Sequence, residues 1–415
     1  MIGVIADDVT GATDVAAALG RAGLRTVLAL NTEAPLSEQD LTTVDAIVVG
    51  LKTRSISVAE AVQASLEALR ALRSAGATRF YFKYCSTFDS TPEGNIGPVT
   101  EALATELGVG TVVTTPAAPI HGRTVVDGHL LVDGVPLQET HMAQHPITPM
   151  LDSSLERLLA PQIAGGIGTL QLETVRAGAE AVTAAIAVAA TSAGAGRVAH
   201  VIADALEESD LRAIAEAVDG HALVAGSAGL VGAIAEREPA SGRKLGAPAP
   251  GRTAIIAGSC SRRTLEQIAA FRAAGGASHH VVAQPGDSAE GLAAAALAWW
   301  DAQPGNASAL IYSSSPAAER DARIPNVGEL YEDVAGIVAR GLSERGVTRM
   351  LIAGGETSGA VIRELGTAAA VVGAEAAVGA PWIHDTERDA HLVLKSGNFG
   401  GPDFFVDVAL AGGTR

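Results

Sequence analysis

The carboxylates of Asp7 and Asp8 stand side by side where an apolar run, Ile2, Val4 and Ile5, gives way to a Thr-Gly turn. Ala12, Val15, Ala16 and Leu19 then recur at helical spacing, so residues 5–20 read as strand, acidic turn and helix. Paired carboxylates at a strand's carboxyl end can take a proton, hold a metal ion or accept sugar hydroxyls. Either could instead cap the helix, a role Asp fills well. One cap needs one Asp, and ligands bind at the carboxyl edge of open α/β sheets, so the pair points to function. Asp8, the later of the two, is expected to project past the sheet edge as a general base, with Asp7 capping the helix or steadying the turn.

A second polar cluster, FKYCSTFDSTPEGNIGP, follows another apolar strand and sets Lys83, Ser86, Thr87, Asp89, Ser90, Thr91 and Asn95 around its end. Such donors and acceptors suit a polyhydroxylated anion, with Lys83 as counter-charge. A cation leaving an apolar strand is costly unless it is paired. Arg54 in LKTRS and Arg123 in HGRTV read as similarly placed after strands and able to clamp a carboxylate bidentately.

In the C-terminal half, MLIAGGETSGAVIREL is an apolar strand, a Gly-Gly-Glu-Thr-Ser-Gly turn and a helix. Small residues let backbone amides approach a phosphate, and the helix start adds partial positive charge. The pattern lacks the Gly-Lys-Ser/Thr ending of a P-loop, and such turns also serve packing. Three more strand ends resemble it: Ser259 and Ser261 after TAIIAG, Ser313 to Ser315 after ALIY, and LKSGNFGG. Together at one sheet edge they would form a polyphosphate cradle more readily than four unrelated caps. Cys260 reads as a small turn residue, since no base lies near it in sequence. His141 and His145 have i, i+4 spacing, but nearby prolines and the lack of an acidic ligand argue against zinc. His279–His280 reads as a surface pair before a strand, and Trp299–Trp300 as core or contact surface.

The elements that must position these residues alternate strand and helix, which implies parallel strands and crossover helices. HGRTVVDGHLLVDGVPL breaks the rhythm with two VDG turns, as a β-rich insert over the sheet. The Pro-, Gly- and Ala-rich stretch 236–251 is the candidate linker. The expected fold is therefore α/β: two α/β domains, 1–240 and 252–415, with mostly parallel sheets, an intervening cleft and the insert in the first domain. The length of 415 residues fits more than one core. A net charge of −17 argues against nucleic acid or an anionic membrane as the main partner. Two cysteines far apart in sequence, no basic leader and no apolar run of membrane length suggest the cytoplasm.

With these motifs in view, the chain resembles the four-carbon acid sugar kinase family over nearly its whole length, through IADDVTGATDVA, FKYCSTFDSTPEGNIGPV, GRTVVDGHLLVDGVPL, AGGETSGAV and LKSGNFGGPDFF. KYCSTFDST is most similar to the 3-oxo-tetronate branch; relatives accepting D-threonate or D-erythronate remain the alternative. The resemblance implies ATP-dependent phosphorylation of a terminal hydroxyl, a sugar-acid domain followed by an ATP domain, and small-molecule partners, with homo-oligomerisation left open. Ser259, the turn Gly354, Gly355, Glu356 and Thr357, and Gly397 match the family's nucleotide positions. Asp7, Arg54, Lys83, Asp89 and Arg123 would then bind the sugar acid, with Mg²⁺ helping to make an acidic protein locally positive there. Two other classes compete. An aspartyl phosphatase would need Asp-x-Asp spacing, and a non-catalytic sugar-acid sensor would leave the phosphate-like turns unexplained.

Overall fold

The computed structural model describes residues 1–30, 44–144, 148–194, 196–239, 246–316 and 326–410. The chain divides into two compact units, Met1–Arg243 and Lys244–Arg415.

In the first unit the strands are β1 (Ile2–Ala6), β2 (Thr26–Ala29), β3 (Ala46–Gly50), β4 (Arg79–Lys83), β5 (Thr111–Thr115), β6 (Arg123–Val126), β7 (His129–Val132), β8 (Val135–Pro136), β9 (Gly166–Leu170), β10 (Ala199–Ala203) and β11 (Leu223–Gly226). Eight of them form a parallel sheet in the order β2-β3-β1-β4-β11-β5-β10-β9. Strands β1, β2, β3, β10 and β11 are buried along their whole length, the signature of a sheet covered on both faces. From β1 the chain crosses to β2 and β3 on one side, whereas β4 lies on the other. The carboxyl ends of β1 and β4 therefore border a topological switch point, where a crevice opens.

The insert is an antiparallel meander, β6-β7-β8. Its two turns place Asp127 and Gly128, then Asp133 and Gly134, at positive φ, as the two VDG motifs require. Arg123 consequently opens β6 instead of following a strand, which corrects the expectation. The expected linker ends the helix Ala228–Ala235 at its start; its residues 240–245 lie outside the described residues.

The second unit carries β12 (Ala254–Ala257), β13 (Ala277–His280), β14 (Ala309–Tyr312), β15 (Arg349–Ala353), β16 (Ala369–Ala377), β17 (Ala380–Asp385) and β18 (Ala390–Lys395). Their order is β13-β14-β12-β15-β18-β17-β16. The first five run parallel, and β17 pairs antiparallel with both β18 and β16. Here the switch point lies between β12 and β15, because the chain leaves β12 toward β13 and leaves β15 toward β16. Ile255, Phe271, Leu310, Leu351, Trp382, Val393 and Phe405 fill the core beneath it. His279 and His280 lie within the edge strand β13, not before a strand as expected, and stack on Trp299 and Tyr312. Trp300 is core, with the Arg252 guanidinium over its ring. His145 lies outside the described residues.

Candidate active site

Residues at the first switch point converge on one guanidinium. Arg54, beyond β3, donates from Nε to Asp7 Oδ2 and from Nη2 to Asp7 Oδ1, both at 2.8 Å. The same Nη2 lies 2.8 Å from Asp8 Oδ1, and Nη1 is 3.9 Å from Asp89 Oδ2. Strand register explains the meeting: Ala6 pairs with both Gly50 and Lys83, so the residues after each strand share one edge.

The helix cap falls to Asp8 and not, as expected, to Asp7, while Asp8 remains the more exposed carboxylate of the two. Asp8 is the cap of the helix Val9–Arg21; its Oδ1 accepts from the Gly11 amide at 2.8 Å and its Oδ2 from Thr10 Oγ1 at 2.8 Å. Asp7 caps nothing and turns inward to Arg54, with its backbone amide bonded to Lys83 O. Side-chain exposure separates them, 24% for Asp8 against 7% for Asp7. Burial pushes the Asp7 carboxyl above the usual carboxylate range despite Arg54. Burial acts the same way on Asp8, but Arg54, Lys83 and the bonds from Thr10 and Gly11 outweigh it and hold that carboxyl below the usual range. Asp8 is thus an ionised carboxylate that reaches solvent, and Asp7 an inner anchor.

Lys83 ends β4 fully buried and gives Nζ to Tyr84 O at 2.8 Å. Thr87 Oγ1 donates to Asp89 Oδ1 at 2.7 Å, and burial together with Asp89 pushes the neighbouring Cys85 thiol up to about 12, so that cysteine is inert as a nucleophile. Asp7, Thr53, Arg54, Asp89, Ser90 and Asn95 line a small crevice. Asn95 Nδ2 donates to Thr53 O at 2.6 Å and Ile56 O at 3.0 Å, tying down the loop that carries Arg54. Arg123 is tied to the backbone of its own turn, Nη1 donating to His121 O, and no contact joins it to the Arg54 cluster among the described residues. Sequence reasoning passed over the pair of His121 Nε2 and Asp14 Oδ1, 3.2 Å apart; a helical Asp and a His in a short 3-10 turn separated by 107 positions leave no local signal.

At the second switch point, the amides of Gly258 and Ser259 both donate to Ala353 O at 3.0 Å, and the Gly354 amide to Lys395 O at 2.9 Å. β12, β15 and β18 thereby bring Ser259, Gly354 and Gly397 together, as the small strand ends predicted. Gly354 sits at φ +132°, and a Cβ there would fall 2.8 Å from Thr357 Oγ1 and 3.0 Å from Ser259 N, so only glycine fits. Gly355 and Glu356 are exposed in the first turn of the helix Gly355–Leu365, while Thr357 is buried. Ser313 follows β14 with its amide on Ala257 O. Cys260 Sγ rests on Gly258 O at 3.7 Å, as a turn residue would. Lys395 went unnoticed in the sequence, although it ends an apolar strand just as Lys83 does. Away from this edge, at the opposite end of β18, His384, Asp389 and His391 bring possible ligand atoms within 4.8 Å of one another, but Asp389 is 92% exposed.

Residues 2–234 match a family model described as a sugar-binding N-terminal domain, and residues 254–405 one described as a nucleotide-binding C-terminal domain. A Cupriavidus necator protein named 3-oxo-tetronate kinase is 42% identical, over 98% of this chain and 95% of its own. A Brucella melitensis protein of the same name is 39% identical over 98% and 94%. A solved structure from Salmonella typhimurium LT2 has a TM-score of 0.87 at 36% identity, covering 98% of both chains. No helix among the described residues is long and apolar enough to cross a membrane. With both halves matched and full-length relatives of one name, the chain belongs to the four-carbon acid sugar kinase family, in the branch of proteins named 3-oxo-tetronate kinase.

Proposed function

We propose that this protein transfers the γ-phosphoryl group of ATP to the terminal hydroxyl of 3-oxo-tetronate. The observation that carries the reading in the geometry is the Arg54 cluster, an ionised carboxylate held beside cations at a switch point of the sheet. Full-length likeness to proteins of that name supports the choice of substrate.

In this reading Asp8 orients the attacking hydroxyl and accepts its proton as the oxygen bonds to the γ-phosphorus and ADP leaves. Phosphoryl transfer proceeds through a loose transition state, so positioning and charge matter more than a strong base. A carboxylate below its usual range stays ionised and so can orient the hydroxyl, although it is the weaker base for being so. Asp7 and Asp89 hold Arg54 in place, and its Nη1 and Lys83 offer positive charge to the sugar acid's carboxylate. Arg123 would reach the same substrate from the insert. Ser259, Gly354, Gly355, Glu356, Thr357 and Gly397 would hold the nucleotide.

The donor set also fits Mg²⁺, which keeps most of its waters and takes one or two carboxylates plus phosphate oxygens. Glu356, exposed beside the glycine turn, is the residue that would hold it. The ion would neutralise charge on the phosphates. The proposed setting is the cytoplasm, with small molecules as the partners; a homo-oligomer is compatible with this reading.

A coupled ADP-release assay across four-carbon acids tests the proposal. The expected result is the highest kcat/KM with 3-oxo-tetronate. A higher value with D-threonate or D-erythronate would reassign the branch, and ATP binding without turnover of any acid would favour a sensor.

A further inference from the structure

Three side chains from two elements donate to a single carbonyl in the second unit. Gly397 O accepts from Ser261 Oγ at 2.6 Å, Thr264 Oγ1 at 3.0 Å and Lys395 Nζ at 2.8 Å. Lys395 is wholly buried, and its two remaining bonds go to Thr264 Oγ1 and Ser396 O, each at 3.0 Å. An ammonium has three donors, and all three are used. No carboxylate pairs with it among the described residues, so the protein bears the cost of a buried cation for the sake of two consecutive carbonyls.

The consequence follows from the peptide unit itself. In a trans peptide C=O and N–H point in opposite directions, and no cis bond occurs among the described residues. Turning the carbonyls of Ser396 and Gly397 toward Lys395 therefore turns the amides of Gly397 and Asn398 away from it. Further along, Gln267 Nε2, on the same helix as Thr264, pins Phe399 O at 3.1 Å and Gly401 O at 2.8 Å. Successive amides facing one way form a concave anion site. The site adjoins Ser259, since a Cβ on Gly397 would stand 2.6 Å from Ser259 Oγ.

We propose that Lys395 is a positioning residue for the nucleotide: buried out of its reach, it fixes the carbonyls of Ser396 and Gly397 so that the amides of Gly397 and Asn398 are presented to a phosphate. This rests on the kinase reading above. Lys395 acts through the loop backbone, and Thr264 is its partner on the helix Arg262–Ala273. The lowered basicity that burial gives Lys395, to about 7, agrees with an unpaired cation.

Lys395→Met keeps the apolar stem of the side chain as far as Cε and removes the donors. Titration calorimetry with Mg·ATP and steady-state kinetics on the full chain should show ATP affinity weakened about 10- to 100-fold, the range for lost charge-assisted hydrogen bonds. KM for the sugar acid should stay within about twofold, because the first unit is untouched; a merely structural defect would instead lower the active fraction and leave both KM values alone. Should Lys395→Met not fold, Thr264→Val decides, with a smaller rise in the ATP constant expected. Unchanged ATP affinity in a folded Lys395→Met, or in Thr264→Val if the first is unfolded, would overturn the proposal. Failure of the wild-type protein to bind ATP would instead sink the kinase reading.

Discussion

Arg54 grips Asp7 through two parallel hydrogen bonds of 2.8 Å, Nε to Oδ2 and Nη2 to Oδ1. The pair is buried on the Asp7 side, so removing the arginine leaves a carboxylate without its partner. Arg54→Met should therefore destabilise the protein by about 3–5 kcal/mol near neutral pH, measured by urea unfolding. The folded pKa of Asp7 is raised, so the native state holds its proton longer than the unfolded chain. Stability from this group falls as pH rises from 3.8 through that raised value. Loss of Arg54 raises it further, and Arg54→Met should lose less stability at acidic pH than at neutral pH. Equal losses at both would mean that Asp7 does not govern the effect.

Asp8→Asn tests the catalytic assignment. Asparagine still caps the helix but gives up the ion pair with Arg54, so a modest loss of thermal stability is expected alongside the kinetic effect. As the proposed base, Asp8 should cost roughly 10²–10⁴-fold in kcat when replaced, with KM for both substrates nearly unchanged. A raised KM for the sugar acid at unaltered kcat would make Asp8 a hydroxyl-binding residue and favour Asp7 or Asp89 as base.

Gly355→Val probes the glycine turn without touching the crowded Gly354. Gly355 is exposed at the helix start, so a branched side chain should leave the fold intact but stand where a phosphate would approach. The expected loss in ATP binding is about 1–3 kcal/mol, equivalent to one or two charge-assisted hydrogen bonds. Wild-type ATP affinity with an unchanged circular dichroism spectrum would move the nucleotide elsewhere.

Lys395 also predicts a pH dependence of stability. Burial depresses its pKa from 10.5 to about 7, so between those values the unfolded chain binds more protons than the native state. Stability should then rise with pH across that window, by up to about 1.4 kcal/mol per unit from this group. The penalty is complete below the lower value and gone above the upper one. Chemical denaturation of wild type and Lys395→Met from pH 7 to 10 checks it: the slope should flatten in the variant, and parallel curves would refute the assignment.

How much of this was legible differs by level. Alternating apolar strands and helical periodicity determined two α/β halves, because burial of a parallel sheet leaves an uninterrupted hydrophobic run such as Ile2–Ala6 or Ala254–Ala257. The VDG turns announced the insert, since Asp-Gly is what a tight hairpin with positive φ needs. Strand-end chemistry likewise exposed Asp7, Asp8, Lys83, Ser259 and the Gly354 turn, which lie next to the strands that deliver them. Only the tertiary structure decided which aspartate turns inward: adjacent residues point to different sides, and the choice depended on Arg54 arriving from β3, 46 positions beyond Asp8 in the chain. The same holds for Lys395, whose meaning lies in carbonyls and hydroxyls contributed by a loop and a helix more than 130 residues apart in sequence. Local pattern fixes which groups reach a sheet edge, because periodicity is a property of neighbours; sheet order fixes which of those groups meet, because only the crossovers bring distant strand ends within hydrogen-bond reach.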